Sequence, residues 1–358
     1  MHAFRFAARL TAAVMAVSTP AAALAQTCSY GTGAALSIAL VPQAPGPNLM
    51  TTPFYAQVAV GGGGAHQVLV DTGSPAIAMA LSKIGSNYTV LSQNQTYGYV
   101  SSGNYFMGDW VLANVSVTLA GGGSATTTAP IPVFGATQYC QNKDNCQPLT
   151  QHQIDTFGMV GIGFKPFTVP GLAAGVTVPN TNLFMNLPVE TQGYVITADG
   201  IQVGLNQTNT ANFKTLPAPN ATPPQTCISY TAANGQTGPF CGATLLMDTG
   251  INHFYLTMPQ GYCPANSDSQ GVAPNGTTVT LSAPSAQDAI LNFTFTVGGT
   301  NNPPMTPSYV NCVTETGGTV PPPPSAFHVN TGRMVVAGMD YMYNPQCGVV
   351  GFRPTTAQ

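Results

Sequence analysis

Only 5% of the 358 residues are charged, against about 25% in an ordinary soluble domain. Thr, Asn, Gln and Ser must therefore carry most of the surface. Eight Lys and Arg set against eleven Asp and Glu leave no basic patch, which excludes nucleic acid as a partner. Hydrophobic residues at 44% are enough to build sizeable cores.

In chain order, Arg5 and Arg9 precede an apolar stretch from Leu10 to Leu24 that ends in the small-residue site Ala23-Leu24-Ala25. This reads as a secretory signal peptide over residues 1–25, cut before Gln26. Thr11, Ser18, Thr19 and Pro20 interrupt the run, which is short for a spanning helix. No later stretch is apolar enough to cross a bilayer, so the mature chain is expected to be exported, secreted or periplasmic, and free of the membrane. The remaining 333 residues (358 − 25) suit two lobes of ordinary domain size. Pro53 to Val60, a Gly-rich turn at 61–64 and His66 to Val70 alternate as a β-hairpin, and Gln67-Val68-Leu69-Val70 runs straight into Asp71-Thr72-Gly73-Ser74. Tyr97-Gly98, then Gly103 and Trp110, reads as a second hairpin. Asp155 to Gly163 holds an apolar pair leading into Gly161. Gly200 to Gly204 is a strand near the middle of the chain, and residues 216–226 are a Pro- and Thr-rich loop.

The opening motif then returns. Thr244-Leu245-Leu246-Met247 leads into Asp248-Thr249-Gly250, and Arg333 to Asp340 holds a second apolar pair before Gly338. One Asp-Thr-Gly turn is ordinary, since Asp and Gly are the commonest turn residues. Two of them, each 90 positions ahead of an apolar-apolar-Gly strand (161 − 71 and 338 − 248), indicate one duplicated unit. Pro321 to Pro324 is a stiff stretch, either beside a cleft or on the far surface. No long helical periodicity occurs, so the chain is expected to be all-β.

These residues resemble the pepsin-like aspartic peptidases, bilobal β proteins in which each lobe gives one catalytic Asp. The ending Asn344 to Phe352 is similar to the closing strand of that family. The resemblance implies a first lobe over 26–200, a second over 201–358, an interlobe sheet and a central cleft. It implies Asp71 and Asp248 as catalytic residues, with Thr72, Gly73, Ser74, Thr249 and Gly250 as their support. Tyr97 and Gly98 would form the flap over the substrate, with Tyr99 or Tyr105 as alternates. Eight cysteines in an exported chain read as disulfides. Proximity pairs Cys140 with Cys146; Cys227–Cys241 and Cys263–Cys312 would brace the second lobe; and Cys28–Cys347 follows from the paired termini of the family. Clustered Cys/His ligands of the zinc kind are lacking, and the expected chemistry needs neither metal nor cofactor.

Peptide hydrolysis by two carboxylates requires one ionised and one protonated group sharing a water. Like charges close together titrate apart, so the pair holds one proton in acid. The composition fits that setting: after signal removal six Lys and Arg remain (8 − 2), so few ion pairs can be lost on acidification. Two features depart from the family. Ile251 stands where a Ser or Thr would match Ser74, and Ile cannot donate a hydrogen bond to Asp248. Only 45 residues without Lys or Arg separate Gln26 from Asp71 (71 − 26), so no basic propeptide is expected. His253, two residues past Ile251, would matter only if it pointed inward. The reading is therefore an acid-acting, monomeric endopeptidase of polypeptides. Its rivals are a weak or inactive pepsin-fold binding protein and, more remotely, an exported β-rich structural or carbohydrate-binding protein.

Overall fold

The computed structural model describes residues 28–41, 52–99, 103–141, 145–164, 167–172, 180–315 and 327–355. The stretch 1–25, read above as a signal peptide, and Pro321 to Pro324 lie outside the described residues. Strands dominate, as the period-two patterning requires. Tyr55–Val60, for example, alternates half-buried and buried positions along its length. It pairs antiparallel with His66–Asp71, and the turn between them places Gly61 and Gly62 at φ 60° and 76°, the left-handed values that a tight hairpin turn asks of glycine. The one α-helix of the described residues, Gln151–Thr156, is a short piece held by a Thr150/Gln153 capping box. No helix among the described residues is long and apolar enough to cross a membrane.

Among the described residues the strands form three sheets. An eleven-stranded sheet takes the strands from Leu40–Val41 to Gly158–Gly161, and a seven-stranded sheet those from Gln225–Ser229 to His328–Asn330. Between them a six-stranded sheet runs Leu36–Ile38, Gly200–Val203, Tyr194–Thr197, Met339–Asn344, Val349–Pro354, Lys214–Pro217, mixing strands from both ends of the chain. Its strands bury Tyr194, Tyr341 and Phe352. Asp340 and Arg353 face each other across it, with Arg353 Nη2 2.7 Å from Asp340 Oδ2. The expected bilobal all-β architecture with an interlobe sheet is what the chain adopts. All four cysteine pairings expected from the sequence form: Cys28–Cys347, Cys140–Cys146, Cys227–Cys241 and Cys263–Cys312.

The duplication holds in the connectivity of the strands around each Asp but not at the spacing read from the sequence. In the first lobe His66–Asp71 lies parallel to Gly158–Gly161, which also pairs antiparallel with Ile77–Ala80. In the second, Phe240–Leu246 lies parallel to His328–Asn330, which pairs antiparallel with Phe254–Pro259. Met159 stands opposite Leu69 just as Asn330 stands opposite Leu246. Gly161 therefore corresponds to Gly332, not to Gly338, and the second interval is 84 residues (332 − 248). The expected strand over 333–340 is instead a 3-10 helix, Arg333–Ala337, followed by the interlobe strand Met339–Asn344. Val335 and Val336 are apolar because that helix is buried, and apolar runs of this length do not distinguish a strand from a buried helical turn.

Candidate active site

Each Asp is delivered by a strand whose alternate residues are fixed in a core. Val68 and Val70 are buried beneath Asp71, and Ala243 and Leu245 beneath the run to Asp248. The two loops are tied across the molecule. Thr72 N donates to Thr249 Oγ1 at 3.1 Å, and Thr249 N donates to Thr72 Oγ1 at 2.9 Å. Each hydroxyl passes a proton on across the lobes, Thr72 Oγ1 to Met247 O at 2.6 Å and Thr249 Oγ1 to Val70 O at 2.7 Å. Both threonines are buried. Every donor and acceptor of the four-bond lattice is matched, which is the condition under which a buried polar network rigidifies.

Within each loop the backbone holds its own carboxylate. Gly73 N donates to Asp71 Oδ1 at 2.7 Å and Gly250 N to Asp248 Oδ1 at 2.8 Å. The glycines also let each loop slide under the opposite carboxylate. A Cβ on Gly73 would stand 2.4 Å from Asp248 Cγ, and one on Gly250 would stand 2.8 Å from Asp71 Oδ1. The two carboxyl groups face each other there: the same Cβ on Gly250 would also stand 3.0 Å from Asp248 Oδ1. Asp71 is pushed well above the ordinary carboxylate range, first by burial, then by the charge and side chain of Asp248 beside it. The Ser74 hydroxyl, donating to Asp71 Oδ2, and the Gly73 N–H pull in the other direction. The two carboxyl groups have only 4% and 6% of their surface exposed.

Ile251 lines the cleft beside Asp248 and donates nothing. The missing bond comes from the adjoining strand: Asn330 Nδ2 donates to Asp248 Oδ2 at 2.6 Å, while Gly332 N donates to Asn330 Oδ1 at 3.0 Å and so fixes the amide. Asn330 was missed because the sequence was searched for an apolar pair before a glycine, and here the pair is Asn330-Thr331. An Asn-Thr-Gly closing the short strand His328–Asn330, just before the buried Arg333–Ala337 turn, was the available signal. Asn330→Ala is expected to lower kcat/KM about 10- to 100-fold, the size of one charge-assisted bond of roughly 1.5–3 kcal/mol. Adding Ile251→Ser to that variant should recover part of the loss, since Ser at 251 reproduces the Ser74 arrangement. Steady-state kinetics on one peptide would check both.

Two further groups stand near Asp248. His253 is half-buried, stacks on Tyr309 at 4.4 Å between centroids, and has its pKa lowered by burial, partly offset by Asp248. Arg333, buried in the 3-10 helix, is lowered from its ordinary range by burial and drawn back by Tyr55 and Asp248.

The carboxyl pair opens into a cleft of about 790 Å³. The flap expectation falls on the hairpin Tyr88–Tyr99 and Asn104–Ala113. Tyr97 and Gly98 line the cleft, as does Tyr99, whereas Tyr105 packs over Gly98. Burial, with the nearby Asp71 charge adding to it, raises the phenols of Tyr97 and Tyr99, so both are neutral hydrogen-bonding groups. Tyr97 is held edge-on to Trp110 at 5.5 Å and to Phe167 at 5.8 Å.

No protein-family model matches the chain, and no curated protein sequence does. Among solved structures the chain is similar to an aspartic proteinase from Irpex lacteus, at 15% identity and a TM-score of 0.55, over 90% of this chain and 98% of that one. The likeness is one of fold, and it spans both lobes and the sheet between them: the chain adopts the bilobal, pepsin-like all-β fold.

Proposed function

We propose that the chain is an exported aspartic endopeptidase that cuts polypeptides in acid through a water held by Asp71 and Asp248. The lobes divide at 26–200 and 201–358, behind a signal peptide over 1–25. The observation that carries this reading is a pair of buried carboxyl groups, each delivered by its own lobe and held by the backbone N–H of its own loop, that face one another where the two loops cross. In acid the pair holds one proton. The ionised carboxylate takes a proton from water, whose oxygen attacks the scissile carbonyl carbon. The protonated carboxyl gives its proton to the carbonyl oxygen. Collapse of the tetrahedral intermediate breaks the C–N bond as the amine is protonated by the pair. Ser74 and Asn330 hold the outer oxygens, and the Thr72/Thr249 lattice fixes the separation. Tyr97 closes over the bound chain. Both Asp residues come from one chain, so a monomer suffices, and four disulfides suit an exported protein.

Ile251 speaks for a protein that binds without cutting; the Asn330 bond to Asp248 speaks against it. The test is cleavage of an unfolded protein from pH 2 to 7 by wild type, Asp71→Asn and Asp248→Asn, with and without a peptide that mimics the tetrahedral intermediate. Acid-range cleavage lost in both variants and blocked by the mimic is the expected result. Cleavage that survives in either variant would overturn the mechanism.

A further inference from the structure

The wall that the second lobe gives to the cleft does not end at the carboxyl pair. Four strands of its sheet follow one another outward from Asp248: Phe240–Leu246, His328–Asn330, Phe254–Pro259 and, at the edge, Val310–Glu315. Leu246 stands opposite Asn330, Asn330 opposite Tyr255 and, two residues along that strand, Thr257 opposite Val313. All five line the cleft, so one face of the sheet carries it out to the edge strand. There Val313 also lines a second cavity, of about 470 Å³, so the two spaces meet at one side chain. With strands about 4.8 Å apart, three spacings put the edge roughly 14 Å from the strand that delivers Asp248, and an extended peptide covers that in about four residues.

The second cavity is bounded by a loop pinned to the edge strand. Cys312 N donates to Gly271 O at 2.8 Å, Ala273 N to Val310 O at 2.9 Å, and Asn311 Nδ2 to Gln270 O at 3.0 Å. The Cys263–Cys312 disulfide ties in the other side. Asp268 is held within this loop: Gln270 N and Val272 N donate to its Oδ1 at 2.8 and 2.9 Å. Both bonds go to one oxygen, and Oδ2 is engaged by neither. Ser267, Ser269, Gln270 and Thr314 supply neighbouring lining, and among the described residues lining the cavity Asp268 alone is charged. A single carboxylate among hydroxyls and an amide complements a cationic side chain, Lys or Arg.

We infer that this cavity is a substrate subsite for a Lys or Arg side chain about four residues from the cleaved bond. The inference rests on the peptidase reading. An acid that only caps its own loop has no reason to stand on the wall of a cavity that shares a side chain with the cleft of the carboxyl pair.

Calorimetry at pH 5 with uncleavable peptides tests it. The peptides carry a hydroxyethylene link, and Lys, norleucine or Glu is placed in turn at the third, fourth and fifth residue on either side of that link. At one of these positions Lys should bind about threefold to fivefold tighter than norleucine, the size of a partly exposed ion pair, and Glu no tighter than norleucine. Added salt should shrink the difference. Asp268→Asn keeps an oxygen for Gln270 and Val272 and should erase the preference, and Asp268→Lys should turn it toward Glu. Equal binding of Lys and norleucine at every position, or a Lys preference unchanged in Asp268→Asn, would overturn the inference. Matching amide peptides separate it from the endopeptidase reading. A Lys preference without cleavage would defeat only the peptidase; cleavage without a Lys preference would defeat only the subsite. A folded protein that binds none of the peptides would defeat both.

Discussion

Asp71→Asn is expected to abolish cleavage while raising the melting temperature at pH 7 and leaving it nearly unchanged at pH 3. The activity loss, roughly a thousandfold or more, follows from removing one of the two groups that exchange protons with water and substrate. The stability change follows from the direction of the Asp71 shift. Burial and the neighbouring Asp248 raise its pKa in the folded protein above that of the unfolded chain. The native state therefore holds this proton more tightly. That contribution favours folding below the ordinary carboxylate range and is lost as the pH rises through the folded-state value. Asn cannot ionise, so the variant escapes the loss. For a chain of this length each kcal/mol recovered moves the midpoint by roughly 1–2 °C. Calorimetric scans of both proteins at the two pH values decide the matter. A variant less stable than wild type at pH 7 would mean that the carboxylate is a structural anion rather than a tuned acid.

The rest of the molecule has little to set against this acid preference. Among the described residues two ion pairs stand out, Lys83–Asp155 on the surface and Arg353–Asp340 in the interlobe sheet. The first has both side chains substantially exposed and is screened by water, so it adds little to stability. Arg353 is additionally held by Ala211 O at 2.9 Å and by the Phe213 ring at 4.4 Å, contacts that do not depend on Asp340 being ionised. Few charges are at risk on acidification, in line with the sparse charge of the sequence.

The parts legible in the sequence are those fixed by local chemistry. Asp71 and Asp248 were readable because a carboxylate closing an apolar strand before Thr-Gly is rare in duplicate. The Gly61-Gly62 turn was readable from backbone requirements, and Cys140–Cys146 from proximity. The strand beside Asp248 was not. In the first lobe its counterpart is apolar, with Val160 and Ile162 buried. In the second, Asn330 serves Asp248 and the Thr331 hydroxyl serves Leu246 O at 3.3 Å. Polar side chains that satisfy long-range partners break the hydrophobic pattern, while the buried Val335-Val336 turn imitates it. The match of Met159 to Asn330 was hidden for the same reason: it needs the register between strands 90 and 84 residues apart (159 − 69 and 330 − 246), and no local pattern carries that.

Gly73→Ala should destabilise the protein by about 1–3 kcal/mol, the usual cost of forcing a methyl group into a filled space, and lower kcat/KM by at least tenfold. The reason is specific to the crossing of the loops. The added Cβ would stand 2.4 Å from Cγ and Oδ2 of Asp248, in the other lobe. Gly73 is not among the residues with positive φ, so Ala meets no backbone penalty there and the cost is the collision alone. That makes the effect separable. In an Asp248→Ala background the obstructing carboxylate is gone, and Gly73→Ala should cost much less. The difference is a coupling energy between residues 175 positions apart (248 − 73). Four urea titrations, of wild type, both single variants and the double variant, measure it. An equal cost of Gly73→Ala in both backgrounds would show that the loop fails for a reason of its own, and the tight crossing of the two loops under the carboxyl pair would lose its support. Gly250→Ala provides the mirror experiment against Asp71. Its clearance of 2.8 Å is less severe, so the smaller coupling should be found on that side.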